Sequence, residues 1–167
     1  MMSRLVLVSV SAAALALVGC RAREITSLQR KEAASVASEA EFAVTMRDWK
    51  RAEGLYARAV ELCPDAGDAW LNLGVVRVRL GDRGGARAAY KGALGAYEAA
   101  LDREPANSEA VLRRVYVLVI LGRDGEARRA VDKARAKYPD DWRLRNFVES
   151  KGVDRLVADP ALKSVEP

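Results

Sequence analysis

Residues 70–93 read WLNLGVVRVRLGDRGGARAAYKGA, and this stretch decides the fold. Trp70, Leu73 and Gly74 mark one helix, Gly81-Asp82 a break, and Ala86, Tyr90 and Ala93 a second helix. Each marker has a packing reason. Gly74, Ala86 and Ala93 are small enough for paired helices to approach to roughly 8–10 Å. Trp70 and Tyr90 fill the spaces between hairpins. Gly81 can take the left-handed conformation that ends a helix, and Asp82 can cap the next one.

Working outward, three prolines set a ruler. Pro105 and Pro139 are 34 residues apart, and Pro64 and Pro105 are 41 apart, one period plus a heptad. A proline ends a helix and pushes the residue before it out of the helical region, so each one predicts a turn between hairpins. Upstream, Val36, Glu39 and Ala40 stand at the Trp-Leu-Gly positions, followed by Ala52, Tyr56, Ala59 and Pro64. Downstream, Val111, Arg114 and Val115 stand there, followed by Gly122, Ala127, Val131, Ala134 and Pro139. The added heptad is visible because Ala86-Tyr90-Ala93 is followed by Ala93-Tyr97-Ala100. Continued as one helix it adds about 10 Å, with Gly92 and Gly95 as places to kink.

On these residues the chain resembles the tetratricopeptide-repeat family over about residues 33–140. The resemblance implies an all-α fold, a right-handed superhelix of antiparallel helix-turn-helix hairpins at 33–66, 67–107 and 108–141. Asp140-Asp141 can cap a further helix at 142–151 that shields the last hairpin, with Trp142, Leu144, Phe147 and Val148 packing inward. Residues 152–167 read as a flexible tail.

In that family the first helix of each repeat lines a concave groove. The corresponding positions are Leu71, Val75, Val78 and Arg79, with Asp68, in the second repeat, and Leu112, Tyr116, Val119 and Ile120, with Glu109, in the third. The first repeat supplies Ala37, Glu41, Val44 and Thr45. Some members clamp a terminal carboxylate with lysine and asparagine. The matching positions hold Ala37, Glu41, Asn72, Glu109 and Arg113, of which only Asn72 and Arg113 agree, so that activity does not carry over. The largely aliphatic lining suits an apolar helix or extended peptide. The alternative is that residues 111–121, being so apolar, are covered by the chain's own tail or by a second copy.

The first twenty residues read as an address. A basic start ending in Arg4 precedes an apolar run at 5–18, the length of a signal-peptide core and too short to span a bilayer. Leu17-Val18-Gly19-Cys20 resembles the lipobox of bacterial lipoproteins. That resemblance implies removal of residues 1–19, acylation of Cys20, and a short basic tether at 20–32. Arg21 is not the aspartate that retains some lipoproteins at the inner membrane. The periplasmic face of the outer membrane is therefore the expected address, ahead of the inner membrane.

The sequence has no histidine, which removes the commonest general base and metal ligand, and it offers no catalytic, metal or cofactor set. Lipidation of Cys20 leaves Cys63 as the lone thiol, so an enzyme acting through Cys63 is the remote alternative. The net charge is +5, or +4 once the segment carrying Arg4 is gone, and it is mixed along every helix. No basic stripe for nucleic acid emerges. These readings converge on a non-enzymatic scaffold with protein partners in the cell envelope. A self-associating structural lipoprotein, forming a homo-oligomer, is the alternative.

Overall fold

The computed structural model describes residues 24–165; the signal segment and Cys20 lie outside the described residues. Three antiparallel hairpins follow one another: α1 (Ser27–Thr45) with α2 (Trp49–Leu62), α3 (Gly67–Arg79) with α4 (Arg83–Arg103), and α5 (Ser108–Ile120) with α6 (Asp124–Lys137). The second helix of each hairpin packs on the first helix of the next, α2 on α3 and α4 on α5. Two short helices, α7 (Trp142–Glu149) and α8 (Gly152–Ala158), and a 3-10 segment (Pro160–Val165) close the end. The architecture is the all-helical stack of tetratricopeptide-like hairpins that the repeat alignment predicts.

The turns obey the residue types placed in them. Cys63, Glu104 and Tyr138, each just before a proline, leave their helices with φ/ψ of −137/80, −135/81 and −124/67. Three unrelated side chains thus share one backbone conformation because each precedes a proline ring. All three prolines lie between elements. Inside the hairpins, Gly81 and Gly122 turn the chain at φ +80 and +71, and Arg47 does the same at φ +59 without being glycine. The side chains of Asp48, Asp82, Asn107 and Asp141 then accept hydrogen bonds from the exposed backbone N–H groups that begin α2, α4, α5 and α7.

The heptad in α4 is matched by a heptad of glycines in α3. A β-carbon at Gly74 would lie 2.4 Å from the Tyr90 ring, and one at Gly67 would lie 2.5 Å from the Tyr97 ring. Tyr97 is buried and its hydroxyl donates to Asp68 at 2.6 Å, so the added turns of α4 are packed. Gly92 likewise makes room, since its β-carbon would meet the Trp70 indole at 2.7 Å. The Trp70 indole N–H donates to the Pro64 carbonyl at 2.9 Å. α4 runs as one continuous helix through both glycines.

Three sequence expectations need correction. α1 begins at Ser27, six residues ahead of the boundary at residue 33, because Thr26 and Gln29 cap each other: the Gln29 N–H donates to the Thr26 hydroxyl at 3.2 Å, and the Thr26 N–H to the Gln29 side chain at 3.0 Å. Much of the tether drawn at 20–32 is therefore helix. In the cap, Leu144 is fully buried and Phe147 packs on the core, but Trp142 is 61% exposed and Val148 also faces outward. Trp142 is the first residue of its helix, and its ring lies beneath the Arg143 guanidinium. The third correction concerns the tail: residues 152–165 form α8 and the 3-10 segment and fold back on α5. Val153 is buried there, and Leu156, Val157 and Leu162 rest on the main core.

Candidate interaction surface

The first helices of the second and third repeats, α3 and α5, bring four of the eight expected groove positions, Leu71, Val75, Leu112 and Tyr116, into one cleft. Leu71, Asn72, Val75, Glu109, Leu112, Arg113 and Tyr116 line a cleft of about 420 Å³, whose far wall is Phe147 of α7 and Leu156 of α8. Its floor is graded. Leu71 is buried, Leu112 and Tyr116 are half-buried, and Val75 is 39% exposed. Val78 is half-buried and Arg79 exposed.

Val119 and Ile120 are 6% and 2% exposed and belong to the main core, as does Leu71 at 5%. Of the eight positions expected to meet a partner, these three are therefore buried as the chain is folded. Phe147 and Leu156 take their place as part of the wall. Leu156 could have been found in the sequence, because Val153, Leu156 and Val157 repeat at helical spacing within a stretch read as a loose tail.

The polar groups around the cleft are already engaged with one another. Arg113 reaches Glu109 at 3.2 Å and Asp68 at 3.6 Å, and Asp68 also accepts the Tyr97 hydroxyl. Burial, with Asp68 close by, pushes the Tyr97 phenol far up, so it stays a donor. The nearby Tyr56 phenol is raised chiefly by burial and then by Glu41. Of the two positions that agree with a carboxylate clamp, Arg113 is thus already engaged by internal carboxylates. Tyr116 is also raised, first by burial and then by Asp159 on the returning segment. Such a lining suits shape and apolar surface better than a free charge.

At the first repeat Ala37 and Val44 are half-buried, and Glu41 and Thr45 exposed, which continues the same face in a more polar form. Cys63 is buried at the end of α2. Its thiol donates to Asp65 at 3.0 Å, and burial followed by that carboxylate raises its pKa, although Arg30 lies 3.7 Å from the sulfur. A buried thiol held protonated by a carboxylate is the reverse of an activated nucleophile. Among the described residues no cluster of acidic or cysteine side chains could hold a metal ion, and no helix is long and apolar enough to cross a membrane.

Comparisons with known proteins agree with this architecture. Two family models, both described as tetratricopeptide repeat, match residues 38–97 and 86–149. Among solved structures, the first tetratricopeptide domain of Spaghetti (RPAP3), bound to the HSP90 peptide SRMEEVD, is similar at 15% identity. It has a TM-score of 0.48 and the match covers 78% of this chain and 98% of that one. The yeast Sti1 TPR2B domain in complex with pHsp70 is similar at 20% identity and TM-score 0.45, covering 78% and 94%. The curated proteins contain no match to this chain. With repeat markers, turn geometry and both family models in agreement over residues 38–149, the chain belongs to the tetratricopeptide-repeat family.

Proposed function

We propose that this chain is a non-enzymatic protein-interaction scaffold or assembly factor. It is held by a lipid on Cys20 at the periplasmic face of the outer membrane and takes an apolar helix or peptide of another envelope protein into its concave face. The observation that carries the binding half is the cleft between α3 and α5. It is open, floored by Leu112, Tyr116 and the exposed Val75, and rimmed by ion pairs that are already satisfied. The described relatives that bind HSP90 and Hsp70 peptides are consistent with a peptide groove, although the clamp chemistry here is different.

The anchoring half rests on the sequence resemblance of Leu17-Val18-Gly19-Cys20 to a lipobox. Two or three acyl chains, at about 0.8 kcal/mol per buried methylene, hold a protein stably on a bilayer. With the Thr26 cap starting α1, six peptide steps separate Cys20 from the helical stack, a reach of about 20 Å. The scaffold would sit close to the lipid surface.

Two measurements test the two halves. Mass spectrometry of the mature protein is expected to find an acylated N-terminus at Cys20; a mature N-terminus elsewhere sinks the anchor. Capture from membranes with the lipid-free chain as bait is expected to lose its specific partner on Val75→Asp or Leu112→Asp with circular dichroism unchanged. Retained capture by both variants sinks the groove. Self-association is the second reading, favoured by Leu28 and Phe42 of α1 and Met46 at its C-terminal cap, which stand largely exposed among the described residues. Light scattering of the lipid-free chain separates a monomeric adaptor from that oligomer.

A further inference from the structure

The third repeat has a concave face unlike the second. Val119 and Ile120 align with Val78 and Arg79, and from Val115 to Leu121 every residue is apolar. On the second repeat the aligned surface meets solvent; on the third those positions are buried, and residues 152–165 pack on α5 with Leu156 beside Leu112 and Tyr116. This C-terminal arm inserts Val153 and rests Leu156 and Leu162 on the core. Asp154 pairs with Arg128 of α6 through side chains that are both about half exposed.

The arm is also set off from the stack it covers. Lys151, which with Ser150 joins α7 to α8, has φ +52, a left-handed conformation that costs a non-glycine residue roughly 1–2 kcal/mol. The arm follows all three hairpins and threads through none of them, so it can leave without undoing a repeat. Most of its residues other than Val153, Leu156, Val157 and Leu162 are exposed. It is therefore seated on the concave side much as a short ligand helix would be, with aliphatic side chains inward and a carboxylate toward an arginine.

We propose that residues 152–165 are a displaceable internal occupant of the third-repeat face, and that the partner this face takes is an aliphatic helical segment of the arm's own pattern. That pattern is two apolar turns with an acidic residue positioned for Arg128. The inference rests on the scaffold reading and names both the partner chemistry and the element that must move for the whole groove to be used. A site filled by its own arm for nine-tenths of the time loses about tenfold in apparent affinity, so arm and partner compete directly.

The test uses the full mature chain without its lipid and a labelled synthetic peptide of residues 152–165, followed by fluorescence anisotropy. Leu156→Asp/Leu162→Asp in the protein is expected to release the arm, leave helix content nearly unchanged, and raise peptide affinity by about tenfold or more. Added peptide should restore amide protection at Val119, Ile120 and Leu121, whereas a Val153→Asp peptide should neither bind nor protect. Should the double variant lose its fold, Asp154→Arg loosens the arm by placing two cations together, and a smaller gain of a few fold is expected. Equal peptide affinity for the wild-type and the folded arm variant, or no binding to either, overturns the proposal. Capture of a membrane partner through Val75 is read separately, so failure here leaves the scaffold reading standing.

Discussion

The second and third repeats begin from aligned residues and end with opposite surfaces. In α3 the last turns carry Arg77 and Arg79 among valines, and the concave side stays open. In α5 the aligned turns carry no polar residue, and a further segment of chain packs on that helix. A helix apolar on every side has to be covered on every side. The cores differ in the same sense: that of the first hairpins is built largely of alanines with Tyr56 and Leu73, whereas that of the later ones is built of branched aliphatics from α5. The difference teaches that a repeat's place in the array is set less by its consensus residues than by the positions the consensus leaves free.

The sharpest way to break this comparison is a matched pair of truncations. Val119→Ala should cost about 2–3 kcal/mol, because two buried methyl groups leave a void, while the aligned Val78→Ala should cost under about 1 kcal/mol at its half-exposed position. Urea denaturation reads both, and equal costs would erase the distinction between covered and open faces.

A second experiment separates the halves by pH. Asp65 ties α1 to the loop after α2 through a two-pronged pair with Arg30, at 2.9 and 2.8 Å, with Arg103 at 3.3 Å. The hydrogen bonds from Arg30 hold the Asp65 carboxyl below its ordinary value of 3.8. Its contribution is therefore fully present above that value and is lost as pH falls through the lower folded value. In acid, amides of α1 should lose exchange protection before those of α5. Asp65→Asn should lower stability at neutral pH and flatten this acid dependence; an unchanged acid limb would show that the pair does not hold the first hairpin.

The smallest effect lies in the hairpin turns, where the first repeat alone turns on a side-chain-bearing residue. Arg47→Gly should stabilise by about 1 kcal/mol or less, since the left-handed conformation suits glycine, although glycine is also freer when unfolded. A melting temperature that falls instead would mean Arg47 makes a compensating contact.

Much of this fold was legible because its punctuation is chemical. Prolines at 64, 105 and 139, glycines at 81 and 122, and acidic caps each impose a local geometry that packing has no reason to override. That Leu71 and Val75 share one side of α3 was equally readable from their phase relative to Trp70. What could not be read was how far each end of the array extends. The Thr26–Gln29 cap is a short signal lying ahead of the repeat frame, and the spacing of Val153, Leu156 and Val157 marks a helix without saying that α5 receives it. Val119 and Ile120 share the helical phase of Leu112 and Tyr116, but whether a face is vacant depends on segments distant in sequence.

The paired spacing of Gly67 and Gly74 under Tyr97 and Tyr90 has one more consequence, for folding. Because both sets repeat every seven residues, sliding α4 along α3 by one heptad, about 10 Å, would seat Tyr97 in the notch meant for Tyr90. The misaligned hairpin would keep one of its two ring-on-backbone locks and strand the other. The tight connection through Gly81 and Asp82, too short to supply the extra length, favours the correct registration, as do the fit of Gly92 on Trp70 and the Tyr97–Asp68 hydrogen bond. Lengthening that connection would remove one of these rulers and give the hairpin a second, weaker way to close.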